Sequence, residues 1–411
     1  PEDMSPPAPD RGPPAGEALS DRLEVTDIEA PAGVQGGATS WRIWGRGSLG
    51  VAPVFTVPLP DCSTLVGYTS RAPEGLVAWA LHLDAADRLI AAHRLADGLA
   101  LRGLAAEPDG HFGALLWDDA GDAIHVRRFS PDGQALWSTE LRNPDNRPDD
   151  FDIGDSRLAF GDGRYGAYYH VHSNTGHEGD TLKWVTTEGA ERTGWGWGCS
   201  HSMSTVLRFH GELGQFLPVC VTDCFPGTNG DFGAQSQGGI YLNHRGPKVI
   251  DVDAGCNGSV AGEIGSLAPA AGGWALTFNA HQAPLTQGQR GYQGKNQDVG
   301  FVRIQGNNQV GAVVWLTTTP EDEADVSVAR WGAAEFVVGW TVGGQGHRLA
   351  RVDDAGRILE GPVDVSATAR WGKRDDPFRQ HVNGDVIWAW FDRGGDTALH
   401  IGRVRSGDAC R

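Results

Sequence analysis

A strand–turn–strand unit returns along this chain without a gap. The stretch VAWALHLDAADRLIAAHRL from Val77 aligns with AIHVRRFSPDGQALWSTEL from Ala123, 46 residues further on. It returns as LARVDDAGRILEGPVDV from Leu349, with DDAG at 353–356 in the place of SPDG at 130–133. A second unit precedes it. Apolar strands end in tryptophan at Trp117 (ALLW), Trp340 (VVGW) and Trp390 (IWAW). Each is followed by a polar turn and a strand closing on arginine plus an apolar residue: Arg128-Phe129, Arg351-Val352 and Arg403-Val404. Arg303-Ile304 belongs to the same series, and Lys183-Trp184-Val185 and Ile240-Tyr241-Leu242 are its degenerate members.

Seven such third strands fall near residues 77–83, 123–129, 181–186, 239–243, 299–304, 347–352 and 398–404. They stand from the mid-forties to about sixty residues apart, the length of one four-stranded blade. The expectation is an all-β chain: a seven-bladed β-propeller over residues 39–411, preceded by a Pro/Gly-rich tail or tether over 1–38. The resemblance is to the propeller architecture in general, because motifs such as WD40 are missing. Composition agrees. With 59 Gly, 23 Pro and 15 Trp, the chain has many strands and turns, and no stretch keeps the spacing of a long amphipathic helix.

The last repeat offers strands near 378–381, 386–391 and 398–404 but no outer one, which would leave an open sheet edge. An N-terminal strand is expected to close it, either SWRIWG at 40–45 or LEVTDI at 23–28. Cys62 and Cys410 lie on the two sides of that seam, and a disulfide between them would staple the ring.

The net charge of -18 argues against a nucleic-acid binder, which needs a basic stripe, and against docking on an anionic membrane. No run of 18 apolar residues offers a transmembrane segment. The opening PEDMSPPAPDRGPPAG looks like the start of a mature exported protein or a tether. Six cysteines suit disulfides in an oxidising compartment and fit no zinc-ribbon spacing. Localisation is therefore expected outside the cytoplasm: secreted, periplasmic or at the cell surface.

Within each repeat the strands are lettered A to D outward. The B–C connections are short in repeats 2, 6 and 7 and long in repeats 3, 4 and 5: SNTGHEGD, TDCFPGTNGDFGAQSQGG and HQAPLTQGQRGYQGKNQD. Long loops on a rigid scaffold commonly carry function, so this face is the expected site. His170 and His172 share one side of a strand, with His177 and Glu178 in the loop that follows. Trp195, Trp197, Cys199 and His201 come next, then Cys220, Asp223 and Cys224 in repeat 4, then Asn279, His281, Arg290 and Tyr292 in repeat 5. Imidazoles converging from His170, His172, His177, His201 and His281 would suit zinc, copper or manganese. Alternatively they are structural, or His172, His201 or His281 is a general base with Tyr292 as acid and Arg290 neutralising a carboxylate. Cys199, Cys256, Cys220 and Cys224 would brace the loops as two local disulfides of undecided pairing. Asp149, Asp150, Asp152 and Asp155 offer hard oxygens for calcium, or form a solvated acidic turn.

The segment HEGDTLKWV…GWGWGCSHSMS…CVTDCFPG, within about residues 165–227, resembles uncharacterised exported proteins of myxobacteria and similar bacteria. That resemblance implies a bacterial exported setting and no known activity. Some propeller polysaccharide lyases use His and Tyr, at times with a His-bound metal, which is an analogy of fold and residue type. Three functions follow. One is a binding protein for a glycan or other polar small molecule, with Trp195, Trp197 and Tyr292 stacking on sugar rings and His177, Glu178, Asp223 and Asn279 beside them. The second is a lyase-type enzyme, and the third a surface or assembly protein held through its tail.

Overall fold

The computed structural model describes residues 18–36, 42–43, 47–48, 53–73, 75–118, 120, 123–141, 151–173, 178–199, 204–222, 239–243, 246–251, 262–282, 296–332, 334–371, 376–407 and 410. Residues 42–43, 47–48, 151–152, 172–173, 178, 222, 251 and 262 are described by their backbone alone.

Seven four-stranded antiparallel sheets form the expected seven-bladed propeller. Blade 7 draws its outer strand from the N-terminal end of the chain, β1 (Leu23–Glu29). A short ladder, β2 (Arg42–Ile43) with β3 (Gly47–Ser48), forms a separate two-stranded sheet next to the inner strand of blade 3. Blade 1 is β4 (Phe55–Pro58), β5 (Thr64–Ala72), β6 (Gly75–Leu83) and β7 (Leu89–Asp97). Blade 2 is β8 (Ala100–Ala106), β9 (Phe112–Asp118), β10 (Ala123–Phe129) and β11 (Ala135–Leu141). Blade 3 is β12 (Phe151–Gly161), β13 (Arg164–Ser173), β14 (Glu178–Thr186) and β15 (Glu191–Trp195). Blade 4 is β16 (Thr205–His210), β17 (Gln215–Thr222), β18 (Gly239–Leu242) and β19 (Lys248–Asp251). Blade 5 is β20 (Gly262–Ala270), β21 (Gly273–Ala280), β22 (Asp298–Gln305) and β23 (Val314–Trp315). Blade 6 is β24 (Glu323–Trp331), β25 (Glu335–Val342), β26 (Gly346–Asp353) and β27 (Ile358–Asp364). Blade 7 is β28 (Arg379–Gln380), β29 (Val386–Trp390), β30 (Ala398–Val404) and β1.

Burial falls from axis to rim. Every residue of β21 is buried, whereas the rim strand β27 has none fully buried. Inner strands are covered by neighbouring blades on both faces, so they are buried along most of their length, including charged side chains such as the paired Asp155 and Arg157. Blades interlock by size. A Cβ on Gly113 would stand 2.4 Å from the Tyr165 ring of the next blade, so the glycine makes room for that aromatic ring. The repeated turns are one structure: Asp87, Gly133 and Gly356 each take positive φ at the same position of the C–D hairpin. In each, that backbone N–H donates to the backbone carbonyl three residues earlier, of Asp84, Ser130 and Asp353.

Of the two proposed closing segments, 23–28 takes the place. β1 pairs with β30 from Leu23↔Val404 to Glu29↔Ala398. The Cys62–Cys410 disulfide is formed. Arg403 reinforces the seam by bonding Asp87 of blade 1 through Nε (3.0 Å) and Nη2 (2.5 Å), and Asp385 through Nη1 (3.1 Å).

Candidate functional site

The face with the long B–C connections is best seen at the corner of blade 3. Antiparallel register sets His170 opposite Asp180 and His172 opposite Glu178. The two-residue period then puts Tyr168 and His170 on the side that Asp180 shares. Tyr168 Oη donates to Asp180 Oδ2 at 2.7 Å, and His170 Nδ1 stands 3.0 Å from Oδ1. All three residues are buried. Burial pushes the Asp180 carboxyl above the usual carboxylate range, against the pull of His170 and Tyr168, while Asp155 pushes it further up.

The connection to blade 4 lies directly over this corner. Gly198 N donates to Asp180 O at 2.9 Å, and a Cβ on Gly179 would stand 2.9 Å from Gly198 O. Cys199 and Cys220 form a disulfide that ties the connection to β17. Their sulfurs and the Asp180 carboxylate lie within 4.8 Å of one another. Closed into a disulfide, the two sulfurs brace the corner between blades 3 and 4.

Nearer the axis, the inner strand β12 bulges between Ile153 and Ser156, which carries Asp155 out of the ladder. Arg157 Nη1 donates to Asp155 Oδ1 at 2.5 Å, and Thr205 N of blade 4 donates to Oδ2 at 2.7 Å. Both oxygens of Asp155 are thereby engaged. Asp376, just before β28, pairs with Arg208 of blade 4 and accepts from Ser266 of blade 5, with Arg379 Nη1 at 3.5 Å. These buried pairs join inner strands of four blades.

At the corner of blade 5, Asn279 Nδ2 donates to Gln297 Oε1 at 2.6 Å. Asn279 is 1% exposed, and its Oδ1 has no hydrogen-bond partner among the described residues. His281, two residues on, is half-buried and its Nε2 likewise has none. Asp298 opens β22 and accepts from Gln282 Nε2 (2.8 Å) and Thr319 N (3.1 Å). Beside it, burial pushes the Glu323 carboxyl up to about 7, with Asp298 adding to the push and Thr319 opposing it.

The two blade 3 indoles part company. Trp195 ends β15 and packs toward blade 4, whereas Trp197, at φ 54, packs among the apolar side chains of blades 2 and 3. His177, His201, Asp223, Cys224, Cys256, Arg290, Tyr292, Asp149 and Asp150 lie outside the described residues, and His172, Glu178 and Asp152 are placed by strand position alone. Tyr168, Asp180, Gln297 and Asp298 were not singled out in the sequence. The available signal was positional, since Asp180 and Asp298 both stand at the start of a third strand after a long loop.

No family model matches this chain, and no curated protein matches it. The resemblance of residues 165–227 to exported myxobacterial proteins thus gains no support from these comparisons. Solved structures do match. The polysaccharide lyase Uly1 is similar at TM-score 0.53 and 7% identity, over 93% of this chain and 99% of that one. The propeller domain of the Trilobed protease from Pyrococcus furiosus is similar at TM-score 0.45 and 10% identity, over 87% and 95%. The Dos1 propeller is similar at TM-score 0.43 and 10% identity, over 91% and 95%. At such identities the likeness is one of fold.

Proposed function

We propose that this chain is an exported bacterial propeller that binds a carbohydrate-like polar ligand on the long-loop face of blades 3–5. The observation that carries the reading is Asn279 Oδ1, a buried amide oxygen without a donor among the described residues, at the foot of the longest blade 5 connection. Leaving such an acceptor unmet costs about 1–3 kcal/mol, and a ligand hydroxyl would recover it. His281 Nε2, two residues along, offers a second polar atom to the same ligand. His170 is a brace in this reading, since its Nδ1 meets the buried Asp180 carboxylate that Tyr168 also holds. Two disulfides support export, because such bonds persist in oxidising compartments.

The test is a glycan array, followed by calorimetry on the strongest binder. Asn279→Ala should weaken that binder by about tenfold, the size of one buried hydrogen bond. An array without binders, or unchanged affinity in Asn279→Ala, overturns the reading.

The lyase reading is favoured by one observation, the unengaged Nε2 of His281, since a general base needs a free nitrogen. His172 or His201 would assist, with Tyr292 as acid and Arg290 on a carboxylate. Zinc, copper or manganese on the histidines is its metal-assisted form, and calcium at Asp149, Asp150 and Asp152 a separate proposal. Release of unsaturated uronate ends from a polyuronate, lost in His281→Ala, would establish the reading. Protein inert on such polymers both as purified and with added zinc, copper or manganese removes it.

A further inference from the structure

Away from the long-loop face, a cleft of about 490 Å³ opens on the flank between blades 3 and 4. Its cause is a difference in strand length. β14 of blade 3 has nine residues, while β18 and β19 of blade 4 have four each. The outer part of blade 3 is therefore only partly covered, and Trp184, Trp195 and Phe216 are half-buried there. The turn at Gly306–Asn308 of blade 5 reaches across to form the far wall, with Gly306 N bonded to Gly272 O.

The lining has the chemistry of an acidic sugar site. Arg164 stacks its guanidinium 4.5 Å from the Trp184 ring and 5.6 Å from Phe216. A guanidinium laid on aromatic rings is held in one plane, and its fork matches a carboxylate. Its Nε is buried without a hydrogen-bond partner among the described residues. Asp162 stands 3.7 Å from Nη2, with both side chains well exposed, so that pair adds little and leaves the fork available. Trp195 supplies an apolar ring surface, and the amides of Asn243 and Asn307 supply donors and acceptors for hydroxyls. The volume lies within the range of small-ligand sites.

We propose that this flank cleft is a second binding site, for a uronic acid residue, with Arg164 on the carboxylate, Trp195 against the ring and the two asparagines on the hydroxyls. It stands independently of the long-loop site. It is tested by calorimetric titration of the full chain with cellouronic acid trimer and trigalacturonic acid, and with cellotriose as the neutral counterpart. The wild-type protein should bind at least one acidic trimer at least tenfold more tightly than cellotriose. Arg164→Gln should remove that preference, and Arg164→Lys should recover only part of it, since an ammonium lacks the fork. Asn307→Ala removes an exposed amide whose Oδ1 also accepts from Gln309 N at 3.1 Å; it should weaken the same trimer while the chain stays folded, which covers the case of an Arg164 variant that folds poorly. Asn279→Ala should leave this binding intact, which separates the cleft from the long-loop site. No binding of either acidic trimer, equal binding of cellotriose, or full affinity in folded Arg164→Gln and Asn307→Ala overturns the proposal.

Discussion

Glu323 shows what a single buried carboxyl does to this ring. It opens the inner strand of blade 6, accepts from Thr319 Oγ1 at 2.6 Å, and is pushed from its ordinary 4.5 to about 7 chiefly by burial. Between those values the folded chain holds a proton that the unfolded chain has released, so stability falls as pH rises through the window. Glu323→Gln removes the titration and keeps an oxygen for Thr319. Its thermal midpoint should exceed that of the parent by a few degrees at about pH 8, and the two should converge at about pH 5. A gap independent of pH between those values would show that Glu323 does not titrate there. Residues of this kind were the least legible in the sequence. His170 was reached because the strand period put it beside His172. Its partner Asp180 was not, because pairing across β13 and β14 depends on where the intervening loop returns the chain. Arg164 carries no sequence mark for a similar reason, since its neighbour Phe216 lies in another blade.

Elements were read more easily, because blade turns carry a chemical mark. A Gly or Asp in the left-handed region is needed at the C–D hairpins of blades 1, 2 and 6, and the aligned DAAD, SPDG and DDAG segments supply it. The third strands consequently fell where expected, as at Gly346–Asp353 and Ala398–Val404. Rim strands left weaker traces. β23 has two residues and β19 four, and strands that bury so little need no apolar pattern. For β1 the pattern was present. Leu23 and Val25 pack toward blade 6, while Ile28 packs toward blade 1. A chain lacking residues 1–29 should therefore expose the β30 edge, lose thermal stability and self-associate, relative to a chain lacking only 1–17. Sedimentation velocity and thermal melts check this. A synthetic peptide covering residues 18–36 should restore the monomer by adding the missing strand. Equal behaviour of the two truncated chains would mean that the ring closes without β1.

Closure of the whole ring rests on three devices of different kinds: the β1–β30 ladder, the Arg403 pairs with Asp87 and Asp385, and the Cys62–Cys410 bond. The first two are lost together when the seam opens, because all their donors and acceptors lie within the folded blades. The disulfide differs in acting on the unfolded chain. It joins residues 348 apart, so it restricts nearly the entire denatured ensemble, worth about 6 kcal/mol in the chain-entropy account. Its partners were legible in the sequence because the seam of a closed ring must fall between the first and last repeats, where these two cysteines stand. Cys410→Ser should lower the thermal midpoint in oxidising buffer and change it little in reductant, where the parent has lost the same bond. The native ring has the ladder and the Arg403 pairs in either case, so binding at the flank cleft should survive the substitution at moderate temperature. Non-reducing peptide mapping should recover Cys62 and Cys410 in one linked species. Recovery of the two as separate thiols, or an equal drop in midpoint under both conditions, would assign the closure to strand pairing and the buried arginine alone.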